Sequence, residues 1–427
     1  MEAPEQEPYP LDVEAVRGDF PILQRKVGGD VTIPGEDEAD TEPLVYLDNA
    51  ATSHTPEPVV DAIADYYRSY NSNVHRGIHH LSQEASIAYE NAHDRVAEFV
   101  GAAGREEVVF TKNTTEAENL VAYAWGLNEL GPGDNVVLTE MEHHASLVTW
   151  QQIGKRTGAE VRFVRVDEDG RLDMDHAREL IDDDTAMASV VHVSNTLGTV
   201  NPVGELADIV HDHGGLIFVD GAQSVPHMPV DVGEMDADFF AFSGHKMCGP
   251  TGIGVLYGKE HVLEEMEPYL YGGEMIRKVT FEDSQWEDLP WKFEAGTPVI
   301  AQGIALHAAI DYLEELGMET VHAHEGVLAE YAYDRLTEYD DVDIYGPPGD
   351  DRAGLVAFNV DGVHAHDLSS ILNDHAVAVR AGDHCTQPLH DKLGVAASAR
   401  ASFYVYNTRE EIDTLVEAVD DARQLFA

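Results

Sequence analysis

Cysteine occurs twice in the 427 residues and lysine eight times, and nowhere do apolar residues run on for the about 18 positions that a membrane-spanning helix needs. Two cysteines, Cys248 and Cys385, are too few for a disulfide framework, and in a reducing compartment both stay thiols. Cations are scarce altogether: 26 Lys and Arg face 80 Asp and Glu, a formal charge of −54. That imbalance removes the basic face on which a phosphate backbone or an anionic bilayer would bind, so neither nucleic acid nor membrane is an expected partner. The opening MEAPEQEPYP has no basic stretch followed by an apolar one, and no secretory signal is expected from it. Self-repulsion of this size destabilises a compact chain at low salt, whereas at molar salt the Debye length falls to about 3 Å and screens it. The composition points to the cytoplasm of a salt-accumulating halophile.

What is present is enough chain for two domains, at roughly 100 to 200 residues each. Residues 27–43 combine glycine, proline and six carboxylates and read as a solvated loop. The expected division is an arm and acidic loop over 1–45, a large domain over 46–295 and a smaller one over 296–427. Short apolar runs alternating with helical patterns indicate an α/β sheet, with strands near 108–112, 135–140, 160–166, 187–195, 216–221, 238–243 and 252–258. Helices are expected over 145–158, 203–214 and 304–317. The last two strands lie too close for a crossover helix, so that pair is expected to be antiparallel.

Ligands of open α/β sheets bind beyond the carboxyl ends of the strands. In this sequence the unusual polar residues fall there: Thr114 and Thr115, then Glu142-His143-His144, then Asn195, then Asp220 and Gln223, then Ser243, His245 and Lys246. Asn113-Thr114-Thr115-Glu116 opens a helix, whose N-terminus suits a phosphate, although two hydroxyls also make an ordinary cap. Asp220, behind a buried strand, calls for a cation: a protonated ring nitrogen, an arginine or a metal. Lys246, in SGHKMCGP, is an amine able to condense with an aldehyde, and a neighbouring His245 eases its deprotonation. A phosphate cradle, an acid for a ring nitrogen, His143 to stack and an amine for an aldehyde together describe pyridoxal phosphate.

Cys385 sits in VAVRAGDHCTQPLH, a polar segment unlike a core; Arg380 and His384 would favour its thiolate while Asp383 opposes it. Cys248, between Met247 and Gly249, reads as packing. Arg400 falls on the polar face of an alternating stretch, and its planar fork suits an amino acid's carboxylate or one of the many acids here. The pairs His211/His213 and His364/His366 lack further ligands at metal spacing, so no metal site is expected.

Over nearly the whole chain, YLDNAATSHTP, NSNVHRGIHHLS, TKNTTEAENLVA, EMEHHASLVTWQ, HVSNTLGTVNP, VDGAQSVPHMPVDV, FSGHKMCGPTGIGVLYG, FEAGTP, VRAGDHC and RASFYVYNT resemble the class II, NifS-like cysteine desulfurases of the SUF iron–sulfur assembly system. The resemblance implies the fold type I of pyridoxal-phosphate-dependent transferases: a mainly parallel seven-stranded sheet in a large domain, and a smaller α+β C-terminal domain. It implies that Lys246 binds the cofactor covalently, His143 stacks on it and Asp220 holds its ring nitrogen. Gln223 and Asn195 would address the ring oxygen and substrate, and Thr114, Thr115, Ser243 and His245 the phosphate. Thr297 would reach the phosphate of a neighbouring subunit in a homodimer. Arg400, with Arg380 and Asn195, would hold L-cysteine, and Cys385 would accept its sulfur and pass it to an acceptor protein of the SUF system. The family commonly has histidine where this chain has Asp383. His366 resembles a residue that contacts a zinc-bearing acceptor, and a solvated loop histidine is the alternative. A selenocysteine lyase or related β-eliminating enzyme shares every cofactor residue, and a silent sulfur-relay scaffold needs none of them.

Overall fold

The computed structural model describes residues 9–27, 42–349 and 352–426, so residues 28–41 of the expected acidic loop lie outside the described residues. Seven strands build the central sheet: β1 (Val108–Thr111), β2 (Asn135–Thr139), β3 (Glu160–Val164), β4 (Thr185–Val191), β5 (Leu216–Asp220), β6 (Phe239–Ser243) and β7 (Gly254–Gly258). They lie side by side in the order β1-β7-β6-β5-β4-β2-β3. β7 runs antiparallel to both neighbours and the other pairs are parallel, as the short 243–254 connection requires.

Apart from the edge strand β3, which carries the exposed Glu160 and the half-buried Arg162, both faces of this sheet are buried because successive side chains point to opposite sides and are mostly apolar on each. Phe240 and Phe242 of β6 enter one core, with α1 (His80–Val100), while Phe239 and Ala241 enter the other, with α2 (Thr114–Val121) and α3 (His144–Thr157). The first core is completed by α4 (Val203–Asp212) and α5 (Ile300–Leu316). Each fully buried phenylalanine stabilises the sheet by about 1.5–3 kcal/mol relative to exposure.

A second sheet is antiparallel throughout. It orders β8 (Val342–Tyr345), β9 (Leu355–Val360), β11 (Ser398–Ser402) and β10 (Arg380–Gly382). Its core is closed by α6 (Met318–Thr337), α7 (Ala365–Asp374) and α9 (Arg409–Phe426); α8 (Gln387–Leu393) connects β10 to β11. Val45 and Leu47, from the far end of the chain, join that core. Leu47 donates to the Ala378 carbonyl at 2.9 Å and accepts from Ser402 N–H at 2.8 Å.

Several expected elements differ in extent: those over 160–166 and 203–214 end two residues early and that over 252–258 starts two residues late. The strand expected over 187–195 ends at Val191, because 193–200 folds back on itself: Ser194 N–H bonds the Thr199 carbonyl at 2.9 Å and Gly198 N–H the Ser194 carbonyl at 3.0 Å. The alternation through 399–406 is strand only to Ser402, since Asn407 Oδ1 accepts from Tyr404 N–H at 2.9 Å and turns the chain. α5 begins at Ile300 rather than residue 304. Among the described residues no helix is long and apolar enough to cross a membrane.

Gly254 joins fold to site. A Cβ built there would meet Asn113 Cα at 2.5 Å and the Phe242 carbonyl oxygen at 2.8 Å, both backbone atoms that cannot swing away. Gly254→Ala is therefore expected to destabilise the protein by about 1–3 kcal/mol, seen as a lower melting temperature in molar KCl. An unchanged melting temperature would refute the packing account.

Candidate active site

The strand ends converge on one cavity of about 370 Å³. Asn113, Thr114 and Thr115 line it from the start of α2, His143 from the start of α3, and Asn195 from the loop after β4. Asp220 and Gln223 come from the end of β5, Ser243, His245 and Lys246 from the end of β6, and Arg380, His384, Cys385 and Arg400 from the second sheet and its loop. Of the residues the sequence singled out as cofactor or substrate contacts, Thr297 alone does not line it; it is exposed ahead of α5.

Lys246 ends a single 3-10 turn, Gly244–Lys246. The His245 carbonyl takes bonds from Ser53 N–H at 3.1 Å and Thr52 Oγ1 at 2.9 Å, which fix the turn against the 50–54 segment. Burial pushes the Lys246 amine down to about 8, with Arg400 helping and Asp220 and Cys385 opposing. Burial likewise raises the Asp220 carboxyl above its ordinary range, against a 2.9 Å bond from Ala222 N–H and the charge of Lys246. A desolvated amine and acid thus face one cavity.

His143 caps α3: its Nδ1 accepts from Ala145 N–H at 3.1 Å, which fixes the ring plane. Burial, then Lys246, holds its pKa down to about 4, so a neutral ring forms that wall. Thr114 N–H donates to Ser243 Oγ at 2.9 Å, tying the start of α2 to the end of β6, while Asn113 Oδ1 caps Glu116 N–H at 2.9 Å. Gln223 Nε2 donates one of its two N–H groups to the Ala50 carbonyl at 2.6 Å, which orients the amide.

Three buried polar atoms of residues lining the cavity, Asn195 Oδ1, His384 Nδ1 and Arg400 Nε, have no protein partner. Buried polar groups in proteins are as a rule paired, so unpaired ones that line a cavity are the features expected of a site for a polar ligand. Together with a buried acid, a neutral stacking ring, a desolvated amine and a capped helix start, they fit pyridoxal phosphate and an amino-acid carboxylate.

Cys385 is exposed at the cavity mouth. Its loop is clamped on both sides: Asn195 Nδ2 donates to the His384 carbonyl at 2.7 Å and His144 N–H to the Cys385 carbonyl at 2.8 Å. The expected help from His384 is corrected by its surroundings. It is buried with Nε2 on Ser398 Oγ at 3.0 Å, and burial, reinforced by Arg400, holds it neutral with a pKa down to about 2. Arg380, half exposed, is drawn to Asp48 at 2.7 Å. Asp383 is a turn former as well as a negative charge: its Oδ1 accepts from Cys385 N–H at 3.1 Å and its carbonyl from Thr386 N–H at 2.7 Å. Cys248 is packed in the core with its thiol pushed up to about 12 by burial.

The sequence reading passed over Asp48, which touches both arginines, and the contact of His144 with the Cys385 loop. Asn113 carried a readable signal as the cap of α2; Asp48 carried none, because its partners lie more than 300 positions away. His364 and His366 stack at 5.4 Å at the exposed start of α7, and among the described residues no three metal-ligating side chains converge.

Residues 45–415 match the family model described as aminotransferase class-V. A cysteine desulfurase of Haloferax volcanii is 78% identical over 99% of this chain and 99% of its own length. A probable cysteine desulfurase of Halobacterium salinarum is 73% identical over the whole of both. The apo structure of the cysteine desulfurase from Thermococcus onnurineus NA1 superposes with a TM-score of 0.89 at 41% identity, covering 98% of each chain.

The depressed Lys246 amine has a direct readout. In cofactor-free protein its labelling by trinitrobenzenesulfonate is expected to reach half-maximal rate near pH 8, about two pH units below an ordinary lysine. Because Asp220 opposes the shift, Asp220→Asn should lower that midpoint further. Peptide mapping that put the midpoint of residue 246 at the ordinary lysine value would refute the desolvated site.

Proposed function

We propose, because this chain belongs to the aminotransferase class-V family and is a pyridoxal-phosphate-dependent cysteine desulfurase, that it takes sulfur from L-cysteine onto Cys385 and passes it to an acceptor protein for iron–sulfur cluster assembly. The observation that carries this reading is that Lys246, Asp220, Arg400 and Cys385 all line one cavity.

Lys246 holds the cofactor aldehyde, Asp220 its ring nitrogen, His143 its face, Gln223 its ring oxygen, and Thr114, Thr115, Ser243 and His245 its phosphate. When bound, pyridoxal phosphate supplies an electron sink for the pair released at the substrate α-carbon. Arg400 takes the substrate carboxylate, with Asn195 and Arg380 beside it. Lys246 Nζ, its pKa drawn down to about 8 by burial, takes the α-proton as general base. Asp220 keeps a proton at the ring nitrogen by accepting its hydrogen bond. The Cys385 thiolate then attacks the substrate sulfur: an S–S bond forms, the Cβ–S bond breaks, its electron pair goes to Cβ, and a proton taken up there, followed by return of the α-proton from Lys246 to Cα, completes alanine. Lys246, Arg380 and Arg400 all lie within electrostatic reach of that thiolate.

The loop that carries Cys385 belongs to the smaller domain of this proposal, and its exposure at the mouth supports transfer to a docked acceptor. Exposed Ile78, Tyr271, Val279 and Phe281 support a homodimer in which Thr297 serves the neighbouring cavity. His366, exposed on α7, is the proposed contact for a zinc-bearing acceptor. The charge of −54 supports a salt-rich cytoplasm as its setting.

Cys385→Ala is expected to lower persulfide and alanine formation from L-cysteine by at least about a hundredfold, while the visible absorbance of the bound cofactor stays. Sulfide trapping and alanine assay in molar KCl check both halves. Persistence of turnover on selenocysteine alone would favour a lyase, and a colourless protein would sink the enzyme reading.

A further inference from the structure

Arg380 and Arg400 stand directly opposite each other on the adjacent antiparallel strands β10 and β11, so two guanidinium groups leave the sheet on the same face and enter the same cavity. Like charges paired across strands repel. Between them lies Asp48: its Oδ2 is 2.7 Å from Arg380 Nη2 and its Oδ1 3.5 Å from Arg400 Nη2. Asp48 does not line the cavity itself, and its side chain is only 13% exposed. It is delivered there by the pairing of Leu47 with Ala378 and Ser402, which lays the 45–48 segment along the second sheet.

Each contact of Arg400 is then accounted for. Nη1 donates to the Asn195 carbonyl at 2.7 Å, Nη2 faces Asp48, and Nε is buried with no partner. The three charged groups sum to one net positive charge, the complement of one carboxylate.

We propose that Asp48 is a positioning residue that braces Arg380 and Arg400 and sets their joint charge to plus one, so that the site takes a monocarboxylate amino acid in one orientation. The proposal rests on the desulfurase reading only for the identity of that amino acid. Charge and orientation separate cleanly in a mutant. Asp48→Asn keeps the shape and removes the charge: the cavity gains attraction for any carboxylate while Arg380, half exposed, loses its tether. Misplacement of a substrate by even an ångström is enough to slow chemistry severely.

The test uses the holoenzyme in molar KCl with 3-mercaptopropionate, which has the carboxylate and thiol of cysteine but no amine, as a calorimetric probe beside L-cysteine turnover. Asp48→Asn is expected to bind the probe roughly tenfold more tightly and to lose roughly tenfold in kcat; Asp48→Glu should recover part of kcat. Arg380→Gln should weaken the probe, and the Asp48→Asn/Arg380→Gln double variant should lie between the singles. Weaker probe binding in Asp48→Asn, or no change in either quantity, overturns the proposal. If Asp48→Asn fails to fold, Arg380→Gln alone decides, since unchanged probe affinity there also overturns it. A wild-type enzyme that makes no alanine, with the probe affinities still ordered as above, would fail the desulfurase reading and leave the brace intact.

Discussion

The burial of Lys246 and Asp220 at the floor of one cavity is the constraint from which the chemistry follows. Lys246 and Asp220 would be an unremarkable amine and acid in water; at the closed end of a sheet with apolar side chains on both faces, burial pulls one pKa down and pushes the other up. The same desolvation keeps His143 a neutral ring. Neither shift needs a special residue nearby. Each needs β5 and β6 to end side by side under a roof supplied by the second sheet.

That roof is held by segments from opposite ends of the chain. Residues 45–54 thread between the sheets: Leu47 bonds to residues 378 and 402, Thr52 and Ser53 clamp the His245 carbonyl, and Ser53 Oγ accepts from Cys248 N–H at 2.9 Å. One short strip therefore fixes the lysine turn and the arginine strand together. Most of its contacts are to backbone groups, and Asp48 is the residue of the strip whose carboxylate reaches the site's arginines.

Legibility in the sequence followed the range of the interactions. The seven strands, the antiparallel β6–β7 pair and the strand-end polar residues were readable because local periodicity and short connections determine them. The end of β4 was misplaced by four residues because 193–200 keeps an apolar pattern while bending back through its own backbone bonds. Asp48 was invisible as a functional residue, since the two arginines its carboxylate meets lie more than 300 positions away. His384 and Asp383 were read from charge alone; burial silences the first and a two-residue turn occupies the second.

His384 and Cys385 sit in succession at positive φ, +48° and +61°, although neither is glycine. Left-handed backbone raises the energy of an L-residue by about 1–2 kcal/mol, and here two consecutive residues carry it between anchored neighbours. The loop is thus wound like a small spring whose release shifts a conformational equilibrium by about thirtyfold for each 2 kcal/mol. The bonds from Asn195 and His144 are what hold it wound, so a change that removes both lets that stored energy count toward any rearrangement of the loop.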